Sequence, residues 1–395
     1  MFNFKITKKD KKTRARTGVL TTPHGEIKTP AFVPVSTKGA LRGLDYKTAN
    51  RFGSDIFMVN AFHFFCNERY KEVKKFGGLH KFLNIKYPLM TDSGGFQVFS
   101  YGFGREHNIG KISEKNTTNK EKTDSERNKN LVKISSDGAY FVLPSSGKKI
   151  FINPEISINV QKDLGADIIF AFDECTPSFA DHHYTKEALK KTNRWAEESL
   201  KAFGKTKKQA LMGIVQGGEF EDLRRESAEY ISSLPFFGFG IGGFLGRSKN
   251  DMYNLLEWTN SILPDKKPRH LLGIGEVDDI FESVEKGVDL FDCVVPTRWA
   301  RHGTAITFNG RINITARPYL LSKKPLDSNC KCDVCRSYST GYLSHLLREK
   351  EIFGMMLLTH HNLFWMQNLM KIIRKEIKRD NFSSLKKSFF KKYKK

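Results

Sequence analysis

One carboxylate in the stretch Leu290–Arg301 stands where a reactive group could act. Asp292 lies in the apolar run LFDCVVP, and two arginines, Arg298 and Arg301, follow it. A carboxylate in apolar surroundings, close to guanidinium groups that suit phosphate, indicates chemistry on a nucleic acid. A helix cap or a simple ion pair would use the same residue types. The other polar groups that the chain brings to Asp292 must decide between these interpretations.

Two more aspartates, Asp92 and Asp173, directly follow apolar, β-prone runs. One such aspartate alone is weak support for a site, because aspartate also caps the helix that follows a strand. Three carboxylates at strand ends of one fold could supply a nucleophile, a general acid/base and a group that binds a base edge. Gln216 could share the base edge, and Phe96 could stack on the base or belong to the core.

The six cysteines predict a metal site and not a disulfide framework. Cys330, Cys332 and Cys335 form a C-x-C-x2-C cluster, whereas the other three cysteines lie far apart. This spacing is typical of metal binding in a reducing compartment. With His361 as the fourth ligand, three thiolates and an imidazole would close a tetrahedral structural Zn²⁺ site. The neighbouring His360 is the alternative ligand, and a helix is expected to start at His361.

The composition is that of a globular protein with a strong positive charge. The chain has 395 residues, 39% hydrophobic and 28% charged, which fits one large α/β barrel or two ordinary domains. Its 66 Lys and Arg against 43 Asp and Glu give a net charge of +23, which attracts a polyanion; a generally lysine-rich composition is the alternative. No apolar run reaches the roughly 18 residues of a transmembrane helix, and the basic N-terminus lacks the apolar core of a signal peptide. These features predict a cytoplasmic protein with no membrane segment.

Alternating apolar runs and helical segments predict a (β/α)8 barrel. Runs that are nearly continuously apolar imply burial on both faces and hence a parallel sheet. Hairpin strands are expected within Gly18–Pro34, and Lys186–Phe203 is an amphipathic helix with Gly204 as its stop. A doubly wound open sheet competes, but no GxGxxG follows a first strand. The barrel strands are predicted at Ala31–Val35, Ile56–Phe62, Tyr87–Met90, Ala166–Phe172, Leu211–Val215, Phe236–Ile241, His270–Ile274 and Val288–Val295.

The polar residues fall at the carboxyl ends of these strands, where the active site of a barrel lies. We predict a catalytic barrel over residues 1–320, a zinc-binding subdomain with the last barrel helix over 321–370, and a basic tail over 371–395. In that tail 11 of 25 residues are Lys or Arg, and the tail is expected either to fray or to lie on RNA with its aromatic residues stacked on bases. The polar segment Arg105–Lys133 is predicted to be a disordered surface insertion, with an RNA-contacting loop as the alternative.

Several motifs occur in a characteristic order: TDSGGFQVFS (91–100), FDECTP (172–177), GIVQGG (213–218), FDCVVPTR (291–298) and the CxCxxC…His cluster. The early segment TTPHGEIKTPAFVPV (21–35) precedes them. Together they resemble the tRNA-guanine transglycosylases, also called queuine tRNA-ribosyltransferases. The resemblance extends from about Thr17 to Met370.

The resemblance implies a homodimeric, zinc-containing (β/α)8 barrel that acts on tRNA and a free 7-deazaguanine. Such enzymes exchange guanine at wobble position 34 of tRNAs with GUN anticodons (for Asp, Asn, His and Tyr) for preQ1 or queuine, in queuosine biosynthesis or salvage. Asp292 would attack the ribose C1′ and hold the tRNA covalently, Asp92 would transfer the proton, and Asn60 would orient the nucleophile. The implied base-binding residues are Ser93, Gly94, Gly95, Phe96, Asp173, Gln216 and Gly243. The implied RNA-binding residues are Gly273, Gly275, Thr297, Arg298 and Arg301.

Two segments depart from the bacterial pattern of this family. FLGR follows Gly242-Gly243 where LAVGE is usual, and RHLLG replaces RYLMG, with His270 and Leu272 at the base-facing places. These changes predict an altered pocket wall that prefers the bulkier queuine over preQ1.

Three other functions compete with this one. A catalytically silent tRNA-binding partner subunit is disfavoured because both Asp92 and Asp292 are present. An archaeal-type exchange in the tRNA D-arm normally brings extra C-terminal RNA-binding domains, for which the residues after His361 are too few. A glycoside hydrolase of the same fold would share the two carboxylates, but neither the zinc site nor the charge of +23.

Overall fold

The structure is a computed structural model of the chain, and it describes residues 1–96, 132–143 and 147–393. The predicted insertion Arg105–Lys133 lies outside the described residues, except for Val132 and Lys133, which belong to a strand. Among the described residues no helix combines the length and the apolar composition needed to cross a membrane.

Eight short parallel strands with helices between them confirm the (β/α)8 fold class, and each predicted run overlaps one of them. Nearly every residue of these strands is buried, as expected for a sheet covered on both faces. The described strands are β1 (Asn3–Lys9), β2 (Arg16–Thr22), β3 (Gly25–Thr29), β4 (Ala31–Pro34), β5 (Phe57–Val59), β6 (Leu89–Thr91), β7 (Val132–Ile134), β8 (Ala139–Val142), β9 (Lys149–Ile152), β10 (Ile168–Phe170), β11 (Ala210–Val215), β12 (Gly238–Ile241), β13 (Arg269–Leu271), β14 (Leu290–Cys293), β15 (Thr304–Thr307) and β16 (Gly310–Asn313).

The strand order of the parallel sheet is β4-β14-β13-β12-β11-β10-β6-β5, so from β5 to β14 each strand lies beside the next strand of this sheet in the chain, and β4 lies beside β14. The described helices are α1 (Tyr46–Phe52), α2 (Ala61–Cys66), α3 (Arg69–Phe76), α4 (Leu79–Leu83), α5 (Pro154–Leu164), α6 (His182–Phe203), α7 (Glu221–Ser233), α8 (Lys249–Ile262), α9 (Val277–Glu285), α10 (Val295–Arg301), α11 (Asp333–Ser337), α12 (Thr340–Arg348), α13 (Ile352–Lys378) and α14 (Phe382–Phe390).

The chain forms two compact units, and the first comprises residues 1–4, 21–25 and 59–272. Strands β6, β10, β11, β12 and β13 of this unit pair in parallel. The antiparallel sheet β7-β8-β9 also belongs to it. Helix α6 confirms the predicted amphipathic helix, although it begins at His182, because the Asp181 side chain caps it by accepting from the Tyr184 N–H. Its end at Gly204 is as predicted.

The second unit comprises residues 5–20, 26–58 and 273–395. In it β14 pairs in parallel with β4, with Asp292 opposite Val33. A parallel bridge between Val35 and Met58 then joins the two strands at the ends of the sheet order, β4 and β5. A buried ion pair ties β2 to the start of β14, since Arg16 donates to Asp289 at 2.6 Å. These contacts fix the strand that carries Asp292.

The C-terminal helices differ from the prediction in one respect. Helix α13 begins at Ile352 and not at His361, because the apolar segment before His361 also packs in helical register and Leu358 is fully buried. The aromatic residues of the tail face the protein and not solvent: Phe389 contacts Phe281 and Trp365, with ring centroids 4.9 and 6.4 Å apart, and Tyr393 is buried. The rings of Phe389 and Tyr393 therefore pack within the second unit and are not free to stack on RNA.

Candidate active site

Asp92 lies directly after β6 and is held by two donors of the first unit. The Asn60 side-chain amide donates to Asp92 Oδ2 at 2.6 Å, and the Ala61 N–H donates to Oδ1 at 2.8 Å. Asn60 also caps α2 by accepting from the His63 N–H. The resemblance implied that Asn60 orients the nucleophile, but the hydrogen bond that its amide donates goes to Asp92. The carboxylate that the sequence assigns to proton transfer is therefore fixed in orientation, and it remains only half-buried.

Asp173, after β10, is the centre of a buried polar network in the same unit. Its Oδ2 accepts from Gln216 Nε2 at 2.6 Å, and its Oδ1 accepts from the Ser93 hydroxyl at 3.1 Å. Ser93 also accepts from the Gly95 N–H at 3.2 Å. The structure thus brings together four residues that the sequence predicted from three separate strand ends. Such a network holds a carboxylate and an amide in one arrangement, as a hydrogen-bonding site for a polar ligand requires.

Two predicted glycines leave no room for a side chain. A Cβ at Gly243, where φ is +83°, would lie 2.1 Å from Gln216 Oε1. A Cβ at Gly95 would lie 2.6 Å from the carbonyl oxygen of Asp173 and 2.7 Å from its Oδ1. Glycine is required at both positions because the side chains of Gln216 and Asp173 pack directly on the backbone. Gly94, with φ of +86°, makes the turn between Ser93 and Gly95.

Arg224 of α7 is fully buried and was not predicted from the sequence. It joins the loop after β11, which carries Gln216, to the loop after β12, which carries Gly243. It donates to the carbonyl oxygens of Val215 and Gly218, on either side of Gln216, at 3.1 and 2.8 Å. Burial lowers the pKa of Arg224 to about 9. One signal was available: Arg224 lies at helical spacing among buried residues of α7, where a charge is unexpected. Its remaining donors reach the carbonyl oxygens of Gly242 and Phe244, on either side of Gly243, at 3.0 and 2.8 Å.

Asp292, within β14, belongs to the second unit, where a glycine loop positions it. The Gly273 N–H donates to Asp292 Oδ1 at 3.0 Å, and φ at Gly273 is +74°. A Cβ at Gly275 would lie 2.4 Å from the Cys293 Cβ, so this loop packs tightly against β14. The two glycines that the resemblance assigned to RNA contact therefore also position the predicted nucleophile, which is half-buried.

Three arginines of the second unit form a cluster. Arg298 and Arg301 belong to α10, the helix that follows Asp292, and Arg42 lies near them. Burial and the charges of Arg42 and Arg298 lower the pKa of Arg301. Arg298 and Arg42 are exposed, and Arg301 donates to the carbonyl oxygen of Thr297 at 2.8 Å. The sequence predicted Arg298 and Arg301, but it missed Arg42, which lies in a distant loop without a charge pattern. Three guanidinium groups close enough to repel one another suit a polyphosphate backbone.

Two of the proposed pocket-wall residues differ in exposure. Leu272 is half-buried, and its Cδ1 would be 3.6 Å from a Cβ at Gly242. His270 is fully buried and contacts the Phe170 ring, so of the two residues Leu272 is the one that can meet a ligand. Phe96 is 40% exposed, so its side chain is not part of the buried core.

The predicted metal ligands come together in the second unit. The ligand atoms of Cys330, Cys332, Cys335 and His361 all lie within 4.8 Å of one another. His361 Nδ1 is 3.4 Å from Cys332 Sγ and 3.3 Å from Cys335 Sγ. A tetrahedral zinc ion with its usual bond lengths would require sulfur–nitrogen separations of about 3.5 Å. The four residues therefore fit zinc, and their thiolates and imidazole are the donors that zinc prefers.

The surroundings of this cluster indicate which of the two histidines, His360 or His361, is the fourth ligand. His361 Nε2 is 2.8 Å from the carbonyl oxygen of Ile306, which fixes the tautomer that leaves Nδ1 free to bind a metal. His360 instead contacts the Phe52 ring, with centroids 4.5 Å apart. The alternative ligand His360 is thus not the one that the structure brings to the cysteines. Hydrogen bonds from Cys330 and Cys335 hold the pKa of the Cys332 thiol far below its ordinary value.

A second group of potential ligands, His24, His80 and Asp167, does not fit a metal. Both imidazoles contact the Asp167 carboxylate, at 2.7 and 3.2 Å. Their rings stack with centroids 3.5 Å apart and an interplanar angle of 10°. Ring-nitrogen lone pairs lie in the ring planes, so two parallel planes at this spacing cannot converge on one ion. Burial raises the pKa of Asp167, but hydrogen bonds from His80 and His24 outweigh it and lower the pKa overall.

Comparison with known proteins gives a consistent result along the chain. A family model described as queuine tRNA-ribosyltransferase matches residues 10–395. A putative queuine tRNA-ribosyltransferase of Archaeoglobus fulgidus is 42% identical over 95% of this chain and 96% of its own. Queuine tRNA-ribosyltransferases of Thermoanaerobacter pseudethanolicus and Enterococcus faecalis are 41% and 39% identical, each over 99% of this chain, and over 97% and 96% of their own lengths.

Proposed function

This chain belongs to the queuine tRNA-ribosyltransferase family and is a pentosyltransferase, and on that premise we propose its reaction in detail. It exchanges guanine at wobble position 34 of tRNAs with GUN anticodons for a 7-deazaguanine. The exchange passes through a covalent link between Asp292 and the ribose. A tRNA substrate implies a cytoplasmic location.

The hydrogen-bonded network around Asp173 is the observation that carries this proposal. The Watson–Crick edge of guanine presents two N–H donors beside the O6 acceptor. A carboxylate suits the donors, and the Gln216 amide with the Gly243 N–H suits O6. A 7-deazaguanine keeps this edge unchanged, so one pocket accepts both the outgoing and the incoming base. Phe96 is exposed and stacks on the base.

The reaction is a double displacement at one carbon. An Asp292 carboxylate oxygen attacks C1′, the bond from C1′ to guanine N9 breaks, and the departing base takes a proton from Asp92. The incoming base then returns its N9 proton to Asp92, and N9 attacks C1′. The bond from C1′ to the Asp292 oxygen breaks, which restores the free carboxylate. Two inversions retain the configuration at C1′.

The RNA must present the wobble base outside its stack to reach a barrel mouth. We assign the phosphate contacts to Arg42, Arg298 and Arg301, with Thr297 and the loop of Gly273 and Gly275 beside them. Because these contacts follow the backbone, they position the tRNA without choosing the base. The presence of both Asp92 and Asp292 disfavours a catalytically silent partner subunit.

Zinc, held by Cys330, Cys332, Cys335 and His361, would cross-link the segment after β16 to α13 and take no part in the chemistry, because a four-ligand site leaves no open position. We also propose a homodimer that packs partly through this region. Several apolar side chains there are exposed, which supports a covered surface in the assembly. They are Leu321, Tyr342, Ile352, Phe353 and Met356.

Base binding predicts a specific effect of replacing Gly243 by alanine. The new Cβ displaces the Gln216 amide, so we expect KM for free guanine to rise about tenfold to a hundredfold. Gly204→Ala is the matched control, because φ there is also positive (+64°) but a Cβ would meet nothing within 4 Å. Initial rates of base exchange measure KM. Equal KM changes in both variants would contradict the assigned role of Gly243.

The experiment that tests the function is exchange of radiolabelled guanine into tRNA. We expect wild-type protein to incorporate label into tRNAs with GUN anticodons and not into other tRNAs. Release of that label by preQ1 or by queuine then tests the base preference. Because Leu272 and the shortened FLGR loop alter the pocket wall, we expect queuine to have the higher kcat/KM. A clear preference for preQ1 would refute this part, and absence of incorporation would refute the function.

A further inference from the structure

Arg224 makes an unusual set of contacts for a buried charge. Within the described parts of the chain, its hydrogen-bond acceptors are four main-chain carbonyl oxygens and none is a carboxylate. Burying a guanidinium without an ionic partner is costly, so a residue needed only to fill space would not be charged. The four acceptors belong to two loops, and each pair of acceptors brackets one residue of the proposed base pocket.

We propose that Arg224 is a positioning residue for base recognition, which holds the Gln216 amide and the Gly243 N–H at the separation that receives the O6 atom of a guanine-type base. The inference rests on the proposed function, because it takes Gln216 and Gly243 as the groups that bind the base. Arg224 itself does not touch the base.

The shape of the guanidinium explains why arginine is suited to this role. Its donors form a rigid planar fork, so fixing one loop on Nε and Nη1 also fixes where Nη2 meets the other loop. Charge-assisted donors bind carbonyl oxygens more strongly than neutral donors do. A lysine has three donors on one nitrogen at the end of a flexible stem and cannot span both loops in this way.

The loop after β11 also contacts Arg224 through the backbone. A Cβ at Gly217 would lie 2.7 Å from the Arg224 nitrogen and 2.8 Å from the Leu223 carbonyl carbon. The Gln216 N–H donates to the Ser227 hydroxyl at 3.0 Å, one turn further along α7. The loop is thus seated on the start of α7, and the arginine side chain extends that fixed geometry to the loop of Gly243.

The test compares Arg224→Lys with Arg269→Lys. Arg269 is also a buried arginine of the first unit, and it donates to the carbonyl oxygen of Leu263, but it lies at the start of β13. We expect Arg224→Lys to raise KM for free guanine about tenfold to a hundredfold. We expect Arg269→Lys to lower the melting temperature similarly and to leave KM for guanine unchanged.

Selectivity gives a second readout that a purely structural role would not move. 6-Thioguanine keeps both N–H donors of the Watson–Crick edge but has sulfur, a much weaker hydrogen-bond acceptor, in place of O6, so wild-type protein should bind it more weakly than guanine in competition. Arg224→Lys should lose most of this discrimination, since its O6 donors are no longer held together. Arg224→Gln provides the same readouts if the buried lysine prevents folding. Unchanged discrimination, or equal KM changes in the Arg224 and Arg269 variants, would overturn the proposal.

Hydrogen–deuterium exchange separates this inference from the proposed function. Peptides covering 213–219 and 240–246 should exchange faster in Arg224→Lys, and not in Arg269→Lys, whether or not the protein exchanges guanine. If wild-type protein fails to incorporate guanine but both peptides respond, the function is wrong and the link between the loops is right. If the protein incorporates guanine and neither peptide responds, the positioning role is wrong.

Discussion

Asp292→Asn is expected to lower the rate of guanine exchange by at least about 10⁴-fold, because the amide cannot attack C1′. It should also abolish the proposed covalent complex between protein and tRNA, which we expect wild-type protein to show as a shifted band on denaturing electrophoresis. Gly273 still has an acceptor in asparagine, so the fold of β14 should be preserved. The rate of label incorporation and the gel shift measure the two effects.

The control for this variant removes a carboxylate of the same unit that no step uses. Asp380 pairs with Lys8 at 2.7 Å at the end of α13, and Asp380→Asn should exchange guanine at the wild-type rate. Asp92→Asn should differ from both, because it impairs proton transfer but leaves the nucleophile in place. Exchange by Asp292→Asn at the wild-type rate would remove Asp292 from the mechanism.

The second large effect is expected at the proposed zinc site. His361→Ala should release the metal and lower the free energy of unfolding by on the order of 5 kcal/mol, because the fully buried imidazole is one of the four proposed ligands and only the cysteines would remain. Metal content by atomic emission and urea denaturation measure the two quantities. A chelator added to wild-type protein should have the same effect on stability.

The adjacent histidine provides the matched control. His360 packs on Phe52, so His360→Ala should cost only about 1–2 kcal/mol and should keep the full zinc content. The two variants differ by one position on one helix, which separates metal binding from loss of a buried ring. Zinc loss in His360→Ala, or full zinc in His361→Ala, would show that the fourth ligand is wrongly assigned.

The sequence predicted the barrel because buried parallel strands leave a strong signal. A run such as Ala166–Phe172 is apolar except for Asp167 and is followed by a polar residue, which indicates both a covered strand and the position of a barrel site. Strand ends were less certain: β10 covers only Ile168–Phe170, since burial continues past the last ladder hydrogen bond. The cluster of three cysteines and a histidine was predictable for a different reason, because thiolate ligands have a characteristic spacing.

What the sequence did not reveal depends on contacts between distant segments. Nothing near Arg42 indicates that it adds its charge to Arg298 and Arg301, because that grouping exists only once the second unit has folded. The start of α13 at Ile352 was missed because an apolar segment without a capping side chain gives no boundary signal. Arg224 could have been suspected from its place on a buried helical face, but its partners are carbonyl oxygens, which every residue has.

The second unit is built from segments that leave the ribosome at very different times. Strand β4 is synthesised early, yet its neighbour β14 lies beyond the whole of the first unit in sequence, and the zinc ligands come later still. At typical elongation rates of about 5–20 residues per second, the edge of β4 that pairs with β14 remains unpaired for on the order of ten seconds or more after β4 has been synthesised. An apolar strand with an open edge is prone to association during that interval. Production of this protein should therefore depend more on chaperone supply and translation speed than its final stability would suggest.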